Sequence, residues 1–148
     1  MNKKLMLGMA AFCAMGLTGG AWAADFGTAA EAKAMLEKAV AAVQADKAKA
    51  LAAFNAGAEG FKAKDLYVFC GGADGNFTAH PTLVGKSMKD LKDKAGKAIG
   101  EEFYKAAEGK LAEVSYQWPR PGEEKLSEKV TYFTKAGDQI CGVGYFKQ

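Results

Sequence analysis

Hydrophobic residues recur at three- and four-residue spacing in the first half of this chain and in shorter, strand-like runs in the second half. The first pattern begins after Thr28 and contains neither glycine nor proline before Gly57, which is typical of an amphipathic helix. Thr28 and Glu31 have the spacing of a capping box, and Gly57 and Gly60 can end the helix. We therefore predict one long helix over about 28–57.

The rest of the chain, over about 65–147, predicts a sheet. Asp74 and Gly75 form a tight-turn sequence between two short extended runs, and Pro81 ends the second run near His80. Short helices are expected between residues 87 and 107. The strand-like runs are Leu66–Cys70, the run after Gly75, Leu111–Trp118, Lys129–Thr134 and Gln139–Phe146. This order of elements is that of an α+β fold with an antiparallel sheet.

Residues 1–23 read as a secretory signal peptide. Two lysines precede an apolar stretch, and Ala21-Trp22-Ala23 is a small-x-small cleavage sequence. A membrane anchor is the alternative, but the apolar stretch is short for a span of ~20 residues. We therefore expect cleavage after Ala23, and a secreted or periplasmic single domain over residues 24–148.

The charge of the predicted mature chain is nearly balanced. Loss of two signal-peptide lysines from 20 basic residues leaves 18, against 17 acidic residues, or a net charge of +1. Nucleic-acid-binding domains usually have a clear basic excess. We therefore expect no nucleic-acid partner.

Two cysteines, Cys70 and Cys141, remain once Cys13 is removed with the signal peptide. In an oxidising compartment such a pair is expected to form a disulfide. The bond would close a loop of about 71 residues and stabilise the fold by about 4 kcal/mol. Two buried free thiols and a redox-active pair are the alternatives, although the spacing is not that of a C-x-x-C motif.

No pattern for catalysis is recognisable. The chain has one histidine, so a site with two histidine ligands is excluded. The nucleophile elbow, the P-loop and the dinucleotide-binding glycine pattern are all missing from the sequence. We expect neither enzymatic activity, nor a metal, nor a cofactor.

A binding pocket is better supported by the residue pattern. Tyr116 and Trp118 lie on one face of a predicted strand, because side chains alternate with period two. Their aromatic bodies and polar tips suit a pocket wall, although packing between sheet and helix is an alternative. In the next strand Lys129 takes one face and Tyr132 the other unless a bulge intervenes. Near His80, such a lysine can neutralise a carboxylate ligand.

Three segments carry a resemblance to a known family. They are A-H-P-T-L-V-G at Ala79–Gly85, Y-Q-W-P at Tyr116–Pro119, and the pair of Lys129 and Tyr132. With these spacings the mature chain resembles a single Cache domain of the sCache_2 type. This family comprises the PAS-like extracytoplasmic sensor modules of bacterial chemoreceptors and histidine kinases.

The resemblance implies a five-stranded antiparallel sheet with the long helix on one face and a ligand pocket below the short helices. It places the first and fifth strands side by side, and hence Cys70 beside Cys141. It also implies that the ligand is a small organic molecule, often a short carboxylate such as acetate, propionate or pyruvate. The pocket candidates carried over from the family are His80, Tyr116, Trp118, Lys129 and Tyr132.

Two further hypotheses remain beside a ligand-binding sensor. Family members usually carry flanking membrane helices and a cytoplasmic module, whereas this sequence ends at Gln148. We therefore expect a free-standing domain that signals through a separate sensor kinase, chemoreceptor or transporter. One alternative is an interaction module without a ligand, which forms a homodimer or pairs with a sensor through its long helix. The other is a redox protein that uses Cys70 and Cys141.

Overall fold

A computed structural model describes residues 26–148 as helices packed on an antiparallel sheet. The predicted signal peptide, residues 1–23, lies outside the described residues. The elements in chain order are α1 (Ala29–Ala45), α2 (Lys47–Ala56), β1 (Lys62–Ala63), β2 (Leu66–Gly71), β3 (Phe77–Ala79), α3 (Ile99–Phe103), β4 (Ala112–Pro119), β5 (Leu126–Ala136) and β6 (Gln139–Phe146).

The predicted long helix is interrupted, so that its segment forms two helices, α1 and α2. The interruption is Asp46, whose backbone is extended and whose carboxylate accepts a hydrogen bond from the Lys49 amide at 3.1 Å. Aspartate favours such an N-cap position over a helix interior because its short side chain can satisfy a free amide. At the start of α1, Thr28 and Glu31 form the predicted capping box.

The apolar side of both helices packs against one face of the sheet. Cys70 and Val143 lie on that face, in β2 and β6. Burial of this stripe stabilises the helices far more than their intrinsic propensity does. The buried residues of α1 and α2 are Ala32, Met35, Leu36, Ala39, Val43, Ala50 and Phe54.

The sheet has the order β1-β2-β6-β5-β4, with β3 also paired to β2, and all of its strand pairs are antiparallel. This confirms the predicted α+β fold with β2 and β6 as neighbours. The very short β1 adds a sixth strand to the five that were expected. Cys70 and Cys141 lie directly opposite each other in β2 and β6 and form a disulfide, with both residues fully buried.

The second face of the sheet is covered by α3 and by the irregular segment before it. A helix predicted over about 98–107 is shortened to Ile99–Phe103. Asp93 holds the segment in place: its carboxylate accepts hydrogen bonds from the amides of Ala95, Lys97 and, in the edge strand β4, Gln117. These bonds fix the segment at the strand that carries the candidate pocket wall.

Candidate functional site

Aromatic side chains from two strands converge on the sheet face opposite α1. Strand alternation places Tyr67 and Phe69 of β2 on this face, together with Tyr116 and Trp118 of β4. The Tyr116 and Trp118 rings meet edge to face, with centroids 5.9 Å apart. Phe103 of α3 packs on the Tyr116 ring from above, at a centroid distance of 6.2 Å. The result is an aromatic floor and wall beneath α3.

These side chains enclose a small hollow, here called the inner cavity. Its volume is about 10 Å³, which is enough for roughly one water molecule. Four of its lining residues carry a polar group: Tyr67, His80, Tyr116 and Trp118. The lining residues are Tyr67, Phe69, Phe77, His80, Leu91, Ile99, Phe103, Tyr116 and Trp118.

Lys129 of β5 lies in the same sheet face and is only 1% exposed. Its Nζ donates a hydrogen bond to the Tyr67 hydroxyl at 3.0 Å and lies 4.3 Å from the centroid of that ring. Among residues 26–148, Lys129 forms no ion pair with a carboxylate. A cation is thus buried next to the inner cavity with an aromatic ring and a hydroxyl for neighbours.

The pKa of Lys129 reflects two opposing influences. Burial is the largest and lowers the pKa of the ammonium, but Tyr67, Tyr116 and Asp65 together outweigh it and leave the pKa above its ordinary value. The side chain therefore carries its positive charge at neutral pH.

Gly144 in β6 makes room for the lysine. A side chain at this position would overlap the Lys129 Cε and the Thr131 hydroxyl. The absence of a Cβ there lets the lysine stem lie flat on the sheet.

Tyr116 and Thr131 form a second buried polar pair beside Lys129, with their hydroxyl oxygens 2.8 Å apart. Strand register explains the group, because Tyr116 is paired with Lys129 and Val114 with Thr131 across β4 and β5. Burial raises the pKa of the Tyr116 hydroxyl, so it stays protonated at neutral pH.

His80 follows β3 directly and is held in one tautomer. Its Nδ1 accepts hydrogen bonds from the amides of Thr82 and Leu83, at 3.0 and 3.1 Å. Nε2 must therefore carry the hydrogen of the neutral ring. Burial, and secondly the charge of Lys129, lower the pKa of His80 from 6.5 to about 4. At neutral pH the ring is an uncharged donor at Nε2.

A wider hollow, here called the outer cleft, adjoins the inner cavity. Its volume is about 670 Å³, and four residues line both hollows: Tyr67, His80, Leu91 and Trp118. This size lies within the range of small-molecule sites. These four shared residues separate the outer cleft from the inner cavity and are here called the passage.

Arg120, at the edge of the outer cleft, links β4 to both ends of the described chain. Its guanidinium stacks on the rings of Phe26 and Phe146, with centroids 4.5 and 5.2 Å away. Its Nε lies 3.8 Å from the carboxylate of Asp65, which in turn accepts a 2.6 Å hydrogen bond from the Gly27 amide.

The structure brings four of the five predicted site residues together. His80, Tyr116 and Trp118 line the inner cavity, and Lys129 contacts it through Tyr67. Tyr132 lies on the opposite sheet face, where it packs with the helix-side core and stacks on Tyr145 at 5.9 Å. The structure therefore does not place Tyr132 in the expected pocket. The register of β5 contains no bulge that would turn Tyr132 to the side of Lys129.

Tyr67 is the main polar residue that the sequence analysis did not find. The alternation of Tyr67 and Phe69 around Val68 would have identified two aromatic side chains on one face. The sequence pattern does not show that Lys129 and Tyr67 lie on the same face of the sheet. This depends on the pairing of β2 with β6 and of β6 with β5.

Other kinds of site find little support in the described residues. Within 26–148, no group of three or more histidine, cysteine, aspartate and glutamate side chains could hold a metal ion. Both disulfide cysteines are fully buried, which places them out of reach of a redox partner. No helix in the described part of the chain has the length and apolar character needed to cross a membrane.

Comparisons with known proteins identify the family and the fold of this chain. The family model for Single Cache domain 2 matches residues 26–138. A solved Cache chemosensory domain, described for its carboxylic acid recognition, has a TM-score of 0.63 and 19% identity, covering 80% of this chain and 92% of its own. No curated protein matches the sequence.

Two further solved structures have the same fold. A methyl-accepting chemotaxis protein from Vibrio parahaemolyticus RIMD 2210633 has a TM-score of 0.61 and 24% identity, covering 79% of this chain and 86% of that one. A periplasmic sensor domain of a chemotaxis protein has a TM-score of 0.58 and 21% identity, with coverages of 78% and 88%. At these identities the likeness concerns the fold alone.

Proposed function

This chain belongs to the single Cache domain 2 family, and from that premise we propose that it is a sensor domain for a short organic carboxylate. It binds the carboxylate at the inner cavity and acts outside the cytoplasm, after cleavage of residues 1–23. It delivers its signal to a separate membrane partner, such as a chemoreceptor, sensor kinase or transporter. The solved Cache domain described for carboxylic acid recognition is consistent with this ligand class.

The observation that carries the proposal is the buried charge of Lys129. An ammonium that is 1% exposed has lost most of its hydration, and its neighbours in residues 26–148 offer it one hydroxyl and aromatic rings but no ion-paired carboxylate. A ligand carboxylate would supply the negative charge that residues 26–148 do not place in contact with Lys129.

Tyr67 transmits the charge of Lys129 to the inner cavity. Since Nζ donates to the Tyr67 oxygen, the hydroxyl hydrogen of Tyr67 is free to be donated to a ligand. The neighbouring ammonium also makes that hydroxyl a stronger donor. His80 adds a second donor at Nε2, and Trp118 supplies an apolar wall for the ligand's carbon atoms.

Entry of the ligand requires side chains of the passage to move. A two- to four-carbon acid is several times larger than the ~10 Å³ available in the inner cavity. Leu91 and Trp118 are half-buried and line both hollows, so they are the residues expected to shift. Binding is therefore coupled to a change in conformation, as a sensor requires.

The alternative of an interaction module without a ligand has less support. Its basis was the apolar stripe of the N-terminal helices, and residues such as Leu36, Val43 and Phe54 pack that stripe onto the sheet. The stripe is therefore already used within the domain.

Titration calorimetry with acetate, propionate, pyruvate and butyrate tests the proposal. At least one acid should give a saturable signal, and the matching neutral amides, acetamide and propionamide, should give none. Equal binding of acid and amide would refute the role of Lys129 as counter-charge. A flat signal for every one of these acids and for the dicarboxylate succinate would refute the proposed function.

A further inference from the structure

The outer cleft is lined by charged residues of predominantly one sign. Four cationic side chains, Lys62, Lys92, Lys94 and Arg120, stand against one acidic side chain, Glu123. Arg120 is offset by Asp65 at 3.8 Å. The three lysines are exposed, and none of them forms an ion pair within residues 26–148. Their charges are thus available to a molecule in the cleft.

Positive charge therefore lies at both ends of the passage. Lys129 is buried and bonded to Tyr67 at the inner end, and the three lysines line the outer cleft at the other. Between these ends the passage has an apolar side, formed by Leu91 and the ring of Trp118, beside the polar groups of Tyr67 and His80. A molecule that fits this pattern has two anionic groups joined by a short hydrocarbon spacer.

We propose that this domain is selective for dicarboxylates, with one carboxylate at the Tyr67–Lys129 pair and the other in the outer cleft near Lys62, Lys92 and Lys94. This inference rests on the proposed function and narrows its ligand class. A monocarboxylate of equal length would place its methyl end among the three lysines, where it would replace their hydration without returning a contact. A dicarboxylate places a charge there instead.

Succinate and butyrate are a matched pair for the test, because both have four carbons and differ in the second carboxylate. We expect succinate to bind the full domain at least about tenfold more tightly than butyrate. In the triple variant Lys62→Gln, Lys92→Gln, Lys94→Gln this advantage should disappear, while butyrate affinity stays within about twofold. The control variant Lys33→Gln, Lys49→Gln, Lys110→Gln removes the same charge from exposed positions outside the cleft and should keep the advantage.

Added salt gives a second readout that needs no variant. Raising NaCl from about 0.05 to 0.5 M should weaken succinate binding more than butyrate binding, since exposed charges are screened and the buried Lys129 is not. If acetate or propionate binds but succinate binds no more tightly than butyrate, the dicarboxylate inference is overturned and the carboxylate sensor stands. The same holds if succinate keeps its advantage over butyrate in the triple variant. If no acid binds at all, both fail.

Discussion

The Lys129 ammonium donates a hydrogen bond of 3.0 Å to the hydroxyl of Tyr67 and lies 4.3 Å from the centre of the same ring. The two residues belong to β5 and β2, which are separated by β6 in the sheet. The lysine therefore reaches across the intervening strand. Its charge acts on the inner cavity through a hydroxyl that lines the cavity, and this relationship gives the first two predictions.

Replacing Lys129 with methionine should separate binding from stability. The variant Lys129→Met keeps a long unbranched stem and removes the buried charge, so the free energy of unfolding should stay level or rise. Carboxylate affinity should fall by about tenfold or more, because a charge-assisted hydrogen bond is worth roughly 1.5–3 kcal/mol. Calorimetry and denaturant unfolding of the same sample measure both quantities.

Tyr132→Phe is the matched control for this variant. Tyr132 lies in the same strand but on the helix side of the sheet, so its hydroxyl should not affect the affinity. A loss of binding in Tyr132→Phe equal to that in Lys129→Met would contradict the assignment of the binding face.

Removing the Tyr67 hydroxyl should weaken carboxylate binding. In Tyr67→Phe the ammonium loses its one hydrogen-bond acceptor within the described chain, and the ligand loses a donor. We expect about a tenfold loss of carboxylate affinity in calorimetry. Tyr104→Phe removes another bonded hydroxyl, which donates to the Gly72 carbonyl at 2.8 Å outside the inner cavity. Tyr104→Phe should lose some stability and keep its carboxylate affinity. Loss of affinity in Tyr104→Phe but not in Tyr67→Phe would rule out the role of Tyr67.

Acidification should destabilise the domain through His80. The folded state lowers the pKa of His80 from 6.5 to about 4, chiefly by burial. The unfolded chain therefore binds the proton more tightly, and stability falls as the pH drops from about 6.5 towards 4. The full effect is at most about 3 kcal/mol at 1.36 kcal/mol for each pH unit. Urea unfolding between pH 7.5 and 4.5 measures it.

His80→Asn provides the comparison for the pH series. The asparagine carbonyl can accept the hydrogen bonds of Thr82 and Leu83 but does not titrate in this range. Between pH 6.5 and 4.5 the free energy of unfolding of the His80→Asn variant should depend less on pH than that of the parent domain. Parallel curves for the two proteins would show that His80 is not the titrating group.

The disulfide should contribute stability and leave ligand binding unchanged. Cys70 and Cys141 close a loop with a sequence separation of 71, for which the chain-entropy model gives about 4 kcal/mol. The double variant Cys70→Ala, Cys141→Ala should lose a stabilisation of this size in denaturant unfolding. Its carboxylate affinity, measured under conditions where it is folded, should match that of the parent domain. A redox role for the cysteines would instead appear as a carboxylate affinity that differs between the parent domain and the double variant.

Local patterns predicted the strands and the caps well. Period-two alternation places Tyr116 and Trp118 on one face, and the spacing of Thr28 and Glu31 fixes the start of α1. Alternation also places Tyr132 on the face opposite Lys129, as the structure has it. The error came from carrying Tyr132 into the pocket by family resemblance against the evidence of its own strand.

Features that depend on distant pairings were not predictable. Tyr67 and Lys129 are 62 positions apart, and their contact requires the complete order β2-β6-β5. The break at Asp46 was missed because the apolar stripe continues through α2, so periodicity alone favours one helix. The volume of the inner cavity is set by how α3 and Leu91 settle on the sheet, which no spacing of residues encodes.

The bare backbone at Gly144 also has a consequence for ligand preference. The space occupied by the lysine stem exists only while position 144 lacks a methyl group. A change to alanine at this position would overlap the Lys129 stem and the Thr131 hydroxyl, so both side chains would have to shift although every polar group of the site is still encoded. Ligand preference in the proposed sensor would thus depend on position 144, which sets the space available to Lys129.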